Sequence, residues 1–130
     1  MITKIEHVGL MTKDIPAMTD WYNSKLGFAT VFIAEEPPFV TIIQKGDGMM
    51  IELFPWKQGF EGPLDNSERQ VSHLCLVSTN LDDDSKMLKE KGINFESTPF
   101  PIFNKGRAVF FRDIEGNYLH LVERPETLWD

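Results

Sequence analysis

The stretch Val109-Phe110-Phe111-Arg112-Asp113-Ile114-Glu115-Gly116-Asn117-Tyr118-Leu119-His120-Leu121-Val122-Glu123 reads as strand, tight turn, strand. Two apolar runs flank Asp113 to Asn117, whose acidic, Gly and Asn residues suit a reversal with positive φ. In the second run Tyr118, His120 and Val122 face one side and Leu119, Leu121 and Glu123 the other. A histidine therefore stands mid-strand, four residues after the turn glycine.

Working outward, the same pattern occurs twice. Residues 2–10 alternate as a strand carrying His7, and Gln70 to Ser78 alternate as a strand carrying His73. Asp14 and Pro16 open a helix bearing Met18, Trp21, Tyr22 and Leu26, which Gly27 stops. Asp82-Asp83-Asp84 open a second helix, their carboxylates favouring its N-terminal dipole, and Gly92 ends it. From His7 to Gly27 is 20 positions and from His73 to Gly92 is 19. Strands are expected over 28–34, 39–44 and 49–56 in the first copy, with Lys45-Gly46-Asp47-Gly48 as a hairpin turn. In the second copy they are expected over 93–97, 108–112 and 118–123. The chain thus reads as α+β: two tandem βαβββ modules (about 1–58 and 70–126) in one domain spanning 1–130. The aperiodic segment 59–69, rich in Gly, Pro and Asn, is a connector. Each module brings one concave sheet face, and pairing them gives a cleft-bearing, barrel-like sheet.

Length allows one domain with a sizeable core. Thirteen basic residues against 20 acidic ones, net charge −7, argue against a nucleic-acid partner. No apolar run reaches membrane-spanning length and no leader pattern opens the chain, so neither membrane insertion nor export is expected. The single cysteine, Cys75, excludes an internal disulfide framework and fits a reducing, cytoplasmic setting. By its residue type it reads as a small buried core residue, the alternative being that it lines the cleft, since it lies two residues from His73 on the same face.

The three histidines, His7, His73 and His120, share a feature with Glu52: all four sit mid-strand in otherwise apolar runs, at places the repeat relates. Taken singly, a strand histidine is commonly a structural hydrogen-bonding residue, and Glu52 could belong to a solvated face. A carboxylate among Ile51, Leu53 and Phe54 is nonetheless costly unless it is paired or bound to a cation. Imidazoles with a carboxylate suit Zn²⁺, Ni²⁺, Fe²⁺, Mn²⁺ or Co²⁺. The expected metal ligands are therefore His7, Glu52, His73 and His120.

His7-Val8-Gly9-Leu10, Trp21-Tyr22, Lys25-Leu26-Gly27-Phe28, Ile51-Glu52-Leu53, His73-Leu74 and Arg112-Asp113-Ile114-Glu115-Gly116-Asn117 together resemble the vicinal oxygen chelate superfamily. That superfamily comprises glyoxalases, bleomycin-resistance proteins and extradiol dioxygenases. The resemblance covers nearly the whole chain and implies first-strand ligands at His7 and His73 and a fourth-strand ligand at Glu52. The last ligand in that pattern is usually glutamate, where this chain has His120. Glu123, three residues further on, stands as the fallback ligand and should face away from the cleft.

The resemblance implies a small-molecule substrate whose neighbouring oxygens a divalent metal chelates, with a metal-dependent lyase or isomerase of the glyoxalase type as the expected activity. With His120 at the place of the usual carboxylate, Glu52 is left as the catalytic base. Met11 occupies the place of a glutathione-gripping arginine in glyoxalase I. The alternatives are a non-catalytic binder resembling bleomycin-resistance proteins and an iron-dependent dioxygenase, which lacks a spare acid–base histidine here. The resemblance also implies a homodimer. Met50, Phe54 and Trp56 share Glu52's face and suggest an apolar wall. Phe60, Phe100 and Phe103 read as packing residues, and Lys105 and Arg107 as a solvated loop.

Overall fold

The computed structural model describes residues 1–55, 73–102 and 105–125. The chain divides into two compact units, Met1–Arg69 and Gln70–Asp130.

In the first unit the order is β1 (His7–Thr12), α1 (Ile15–Leu26), β2 (Ala29–Ile33), β3 (Thr41–Gln44) and β4 (Met50–Pro55). The strands form one sheet in the order β1-β4-β3-β2, with β1 parallel to β4 and the other pairs antiparallel. The first strand begins at His7 rather than residue 2, because pairing starts where His7 meets Met50. Ahead of it, Ile2 and Ile5 are 98% and 72% exposed, so alternation alone gives that segment nothing to pack on.

The Asp14 side chain caps α1 by accepting from the Ala17 N–H at 3.0 Å, and Pro16 fills the first turn, where its missing N–H costs nothing. Gly27 ends the helix at φ 72, a left-handed conformation that residues with a Cβ avoid. The face bearing Met18, Tyr22 and Leu26 packs against β4, β2 and β3 and closes the core over Ile43 and Leu53. Tyr22 is fully enclosed, with Trp21 and Phe28 edge-on to its ring. Burying side chains of this size stabilises the unit by roughly 1.5–3 kcal/mol each.

The second unit repeats the plan: β5 (Leu74–Val77), α2 (Leu81–Glu90), β6 (Phe100–Ile102), β7 (Gly106–Arg112) and β8 (Tyr118–Glu123), in the sheet order β5-β8-β7-β6. Again the first and last strands are parallel and the remainder antiparallel. Asn80, not one of the aspartates, caps α2, accepting from the Asp83 N–H at 3.1 Å while Asp82, Asp83 and Asp84 fill the first turn. Phe111 and Leu119 are fully buried, with Phe95 edge-on to Phe111.

Two expectations are corrected. Residues 93–97 form no strand: Ile93 is buried and Phe95 packs, and the sixth strand is Phe100–Ile102 instead. Pro101 hides that strand from a propensity reading, yet proline is tolerated on an edge, and β6 is an edge. Secondly, the strands pair as two open four-stranded sheets, one per unit, in place of one barrel-like sheet. The connector 59–69 and the residues Trp56, Phe60 and Phe103 lie outside the described residues. Among the described residues no helix is long and apolar enough to cross a membrane.

Candidate functional site

In the first unit β1 and β4 run parallel with Gly9 opposite Glu52, so His7 precedes Glu52's partner by two residues and shares its face. The structure brings the two side chains together: His7 Nε2 lies 3.8 Å from Glu52 Oε2. Glu52 is 33% exposed, open to a small molecule rather than buried as its apolar neighbours suggested. Gly9 makes room beside the pair, since a Cβ there would lie 2.8 Å from Phe54 Cε1. The ring of Phe54 is the apolar wall the sequence placed on this face.

His7 Nδ1 lies 3.0 Å from Glu6 Oε1. A carboxylate only accepts, so Nδ1 is the nitrogen that carries hydrogen. In the neutral ring Nε2 then keeps its lone pair, and it faces a carboxylate oxygen. That juxtaposition is repulsive unless a proton or a cation stands between the two atoms. An imidazole donating its other N–H to a carboxylate is also the usual arrangement of a metal-binding histidine.

In the second unit β5 and β8 run parallel with Cys75 opposite His120, so His73 precedes His120's partner by two residues. His7 bears this same relation to Glu52. The structure brings His73 and His120 together as stacked rings, centroids 4.1 Å apart and planes at 7°. On its other side His120 meets Phe110, its partner across β7, at 3.8 Å and 20°. Phe100 abuts Phe110 edge-on at 4.9 Å. The His120 pKa lies below its ordinary value, first through desolvation and then through the charge of His73, so the ring is neutral at physiological pH.

Cys75 is exposed, contrary to its expected place in the core, because its register puts it on the open face beside His120. Partial desolvation raises its thiol pKa, and Arg124 works against that rise. Glu123 is held on the opposite face: its carboxylate accepts from the Leu81 N–H at 2.8 Å and from Arg107 at 3.1 Å. Arg107 belongs to β7 rather than to a loop, and also pairs with Asp82 at 3.3 Å.

The four candidates thus occur as two pairs, one per unit, and within neither unit do the described residues group three His, Cys, Asp or Glu to hold a metal. The His7–Glu52 pair suits a divalent cation. Two donors on one ion stand roughly 3–3.5 Å apart, a small adjustment from the separation seen. The stacked imidazoles suit it one at a time, because their lone pairs lie in parallel planes. Sequence reasoning missed the Glu6 contact and the His73–His120–Phe110 stack, both of which depend on side-chain placement.

A family model described as the Glyoxalase/Bleomycin resistance protein/Dioxygenase superfamily matches residues 4–121. No curated protein matches. Among solved structures, a member of that superfamily from Sphaerobacter thermophilus is 24% identical, covers 95% of this chain and 98% of its own, and superposes with TM-score 0.78. TnmS3, an antibiotic binding protein from Streptomyces sp. CB03234, is 20% identical over 95% and 97% of the two chains, with TM-score 0.76. A lactoylglutathione lyase from Agrobacterium tumefaciens is 19% identical over 94% of each chain, with TM-score 0.71. At such identities these likenesses establish the fold.

Proposed function

We propose a function from one premise, that the chain belongs to the glyoxalase/bleomycin resistance protein/dioxygenase superfamily: it is a metal-dependent lyase or isomerase of the glyoxalase type. The observation that carries this reading is the equal register of the two pairs. His7 with Glu52 and His73 with His120 occupy matching places on matching parallel strand pairs.

In this reading the metal ligands are His7 and Glu52 of the first unit and His73 and His120 of the second, for Zn²⁺, Ni²⁺, Fe²⁺, Mn²⁺ or Co²⁺. When bound, that ion supplies Lewis-acid polarisation of a substrate's carbonyl or neighbouring oxygens. His7 is oriented by Glu6 through Nδ1, leaving Nε2 for the site. Glu52 is the carboxylate placed to take a proton beside the polarised carbonyl and to return it, and its exposure lets substrate reach it. Phe54, packed over Gly9, gives the substrate an apolar surface. A homodimer in the cytoplasm, with neither nucleic acid nor membrane as partner, completes the proposal; net charge −7 and the single cysteine support the last points.

A second reading, a non-catalytic binder of flat molecules, draws on the ring stack of His73, His120 and Phe110. Metal analysis of protein purified without chelators separates the two. The first expects about one divalent ion per chain, lost on His7→Ala or Glu52→Ala. Metal-free protein that takes up no added ion yet binds aromatic compounds would establish the second.

A further inference from the structure

We infer that the substrate taken by the first unit is an uncharged carbonyl compound with an aromatic or short aliphatic body, and that this body lies from Glu52 across Ile42 to Phe32. This rests on the enzyme reading above and names the class of substrate its site accepts.

Register fixes what surrounds Glu52. Directly opposed residues of paired strands point to one face, as do alternate residues along a strand. On the face of Glu52 its neighbours are Met50 and Phe54 along β4, Ile42 across on β3 and Gly9 across on β1. Met50, Phe54 and Ile42 are partly exposed, whereas Ile51, Leu53 and Ile43 turn to the core. The carboxylate thus stands in an apolar ring of side chains that small molecules can reach. On the β1 side the Phe54 ring reaches over Gly9, 2.8 Å from where a Cβ would stand. A ligand held at Glu52 therefore extends the other way, over β3 and β2.

The second strand is shaped to meet it. Thr30 pairs with Ile43 and Phe32 with Ile42, so Val31 is an extra residue, a β-bulge. In a regular strand Thr30 and Phe32, two apart, would share a face. Here Thr30 stays on the helix side, its hydroxyl accepting from Asn23 Nδ2 at 3.1 Å, while Phe32 turns to the side of Ile42 and Glu52. Bulges re-aim side chains in this way. Phe32 is 54% exposed, which leaves a large apolar ring in water. Glu52, Ile42 and Phe32 form one row over three adjacent strands, about 10 Å long at roughly 4.8 Å per strand. That span suits a phenyl group or a short alkyl chain beside a carbonyl.

Charge sets the remaining condition. Among the described strand residues of this face there is no lysine or arginine. The carboxylates of Glu6 and Glu52 flank His7 at 3.0 and 3.8 Å. Gln44 turns its amide nitrogen to the Gly48 carbonyl at 2.7 Å, away into the hairpin turn. An anionic body would meet like charge here and no counter-ion, so the body is uncharged.

Deuterium exchange beside the carbonyl, catalysed by the full-length Zn²⁺-loaded protein and normalised to the rate in buffer, tests this with three probes. 2-Hydroxyacetophenone should show a kcat/KM about tenfold above hydroxyacetone, and its 4-carboxylate should fall about tenfold below 2-hydroxyacetophenone. Phe32→Ala, an exposed position whose melting temperature is checked alongside, should narrow the phenyl preference to about threefold, and Phe32→Leu should keep most of it. Binding is read separately: acetophenone added to methyl-labelled protein should shift the Ile42 methyl signals. Exchange of hydroxyacetone with no phenyl preference and unmoved Ile42 signals would overturn the assignment and leave the enzyme reading intact. A preference for the carboxylate, or a phenyl preference unaltered in Phe32→Ala, would also overturn it. Ile42 shifts without exchange of any probe would overturn the enzyme reading and keep the groove; neither shift nor exchange would overturn both.

Discussion

Leu81 donates its backbone N–H to Glu123 Oε2 at 2.8 Å, which ties the last strand of the second unit to the first turn of α2. The first N–H groups of a helix have no partner within it, so a carboxylate from another element satisfies one of them and complements the dipole. The same carboxylate accepts from Arg107, and Glu123 is fully committed to the fold on the face away from His120. Replacing it by Ala should lower the melting temperature and leave metal uptake unchanged. Loss of metal in Glu123→Ala, with His73→Ala retaining it, would mean that the ligand set is wrong.

Those two contacts also set a pH dependence. The N–H of Leu81, and after it Arg107, hold the Glu123 pKa below its ordinary value of 4.5. Because the folded pKa is depressed, the unfolded chain binds the proton more readily. The contribution to stability is therefore complete above the unfolded value and is lost as the pH falls through the folded one. Melting curves taken from neutral to strongly acid pH should converge for wild type and Glu123→Gln at the acid end. A gap that persists below the folded pKa would assign the stabilisation to something other than the carboxylate charge.

Asp113 supports the tight turn before β8. It is 6% exposed and accepts three hydrogen bonds, from the N–H groups of Glu115 and Asn117 at 2.9 Å and from Asn117 Nδ2 at 2.8 Å. Asp113→Ala leaves those donors without a partner, at about 1–3 kcal/mol for a buried unsatisfied group. We expect a loss of about 3 kcal/mol in urea unfolding, and a smaller loss for Asp113→Asn, which keeps one acceptor oxygen. An Ala variant as stable as wild type would show that the turn is held by Gly116 and the flanking strands alone.

How far all this could be read beforehand depends on the kind of signal. Alternation around His7 and His120, the Gly27 stop and the Asp14 cap are local, and each holds in the structure. The repeat survives for the same reason, since both units keep β1∥β4 and β5∥β8 with identical offsets. What escaped is non-local. β6 is a strand because β7 offers an unpaired edge, whereas Ile93 is buried and Phe95 packs on Phe111 without a ladder. The Cys75 exposure and the His120 stack arise from neighbours on adjacent strands that are distant in the chain, which no single run of residues records.

Gly9 faces Phe54 across the β1–β4 pair, and adding a methyl group would bring it to 2.8 Å from the ring. Gly9→Ala should cost about 1 kcal/mol, overpacking outweighing the chain entropy that alanine saves. Phe54→Leu in the same chain should recover most of that loss by vacating the space. If the double variant is no more stable than Gly9→Ala, the strain lies in the backbone and not in the ring contact.

Glu52 carries the chemistry proposed here, so its isosteric amide is the sharpest test of that proposal. Gln preserves shape and can still donate or accept a hydrogen bond, but it cannot take a proton at physiological pH. Deuterium exchange beside the carbonyl of small α-hydroxycarbonyl compounds, followed by NMR with the metal-loaded protein, reads proton transfer directly. Positioned acid–base groups contribute about 10²–10⁴-fold. Glu52→Gln should lose exchange by that order while its melting temperature stays near wild type, because the side chain is partly exposed and stands 3.8 Å from His7 without a close hydrogen bond to it. Metal uptake measured on the same sample separates a lost base from a lost ligand. If exchange stays at the wild-type rate in Glu52→Gln with metal bound, Glu52 is not the base, and the proton must pass to another group or to solvent.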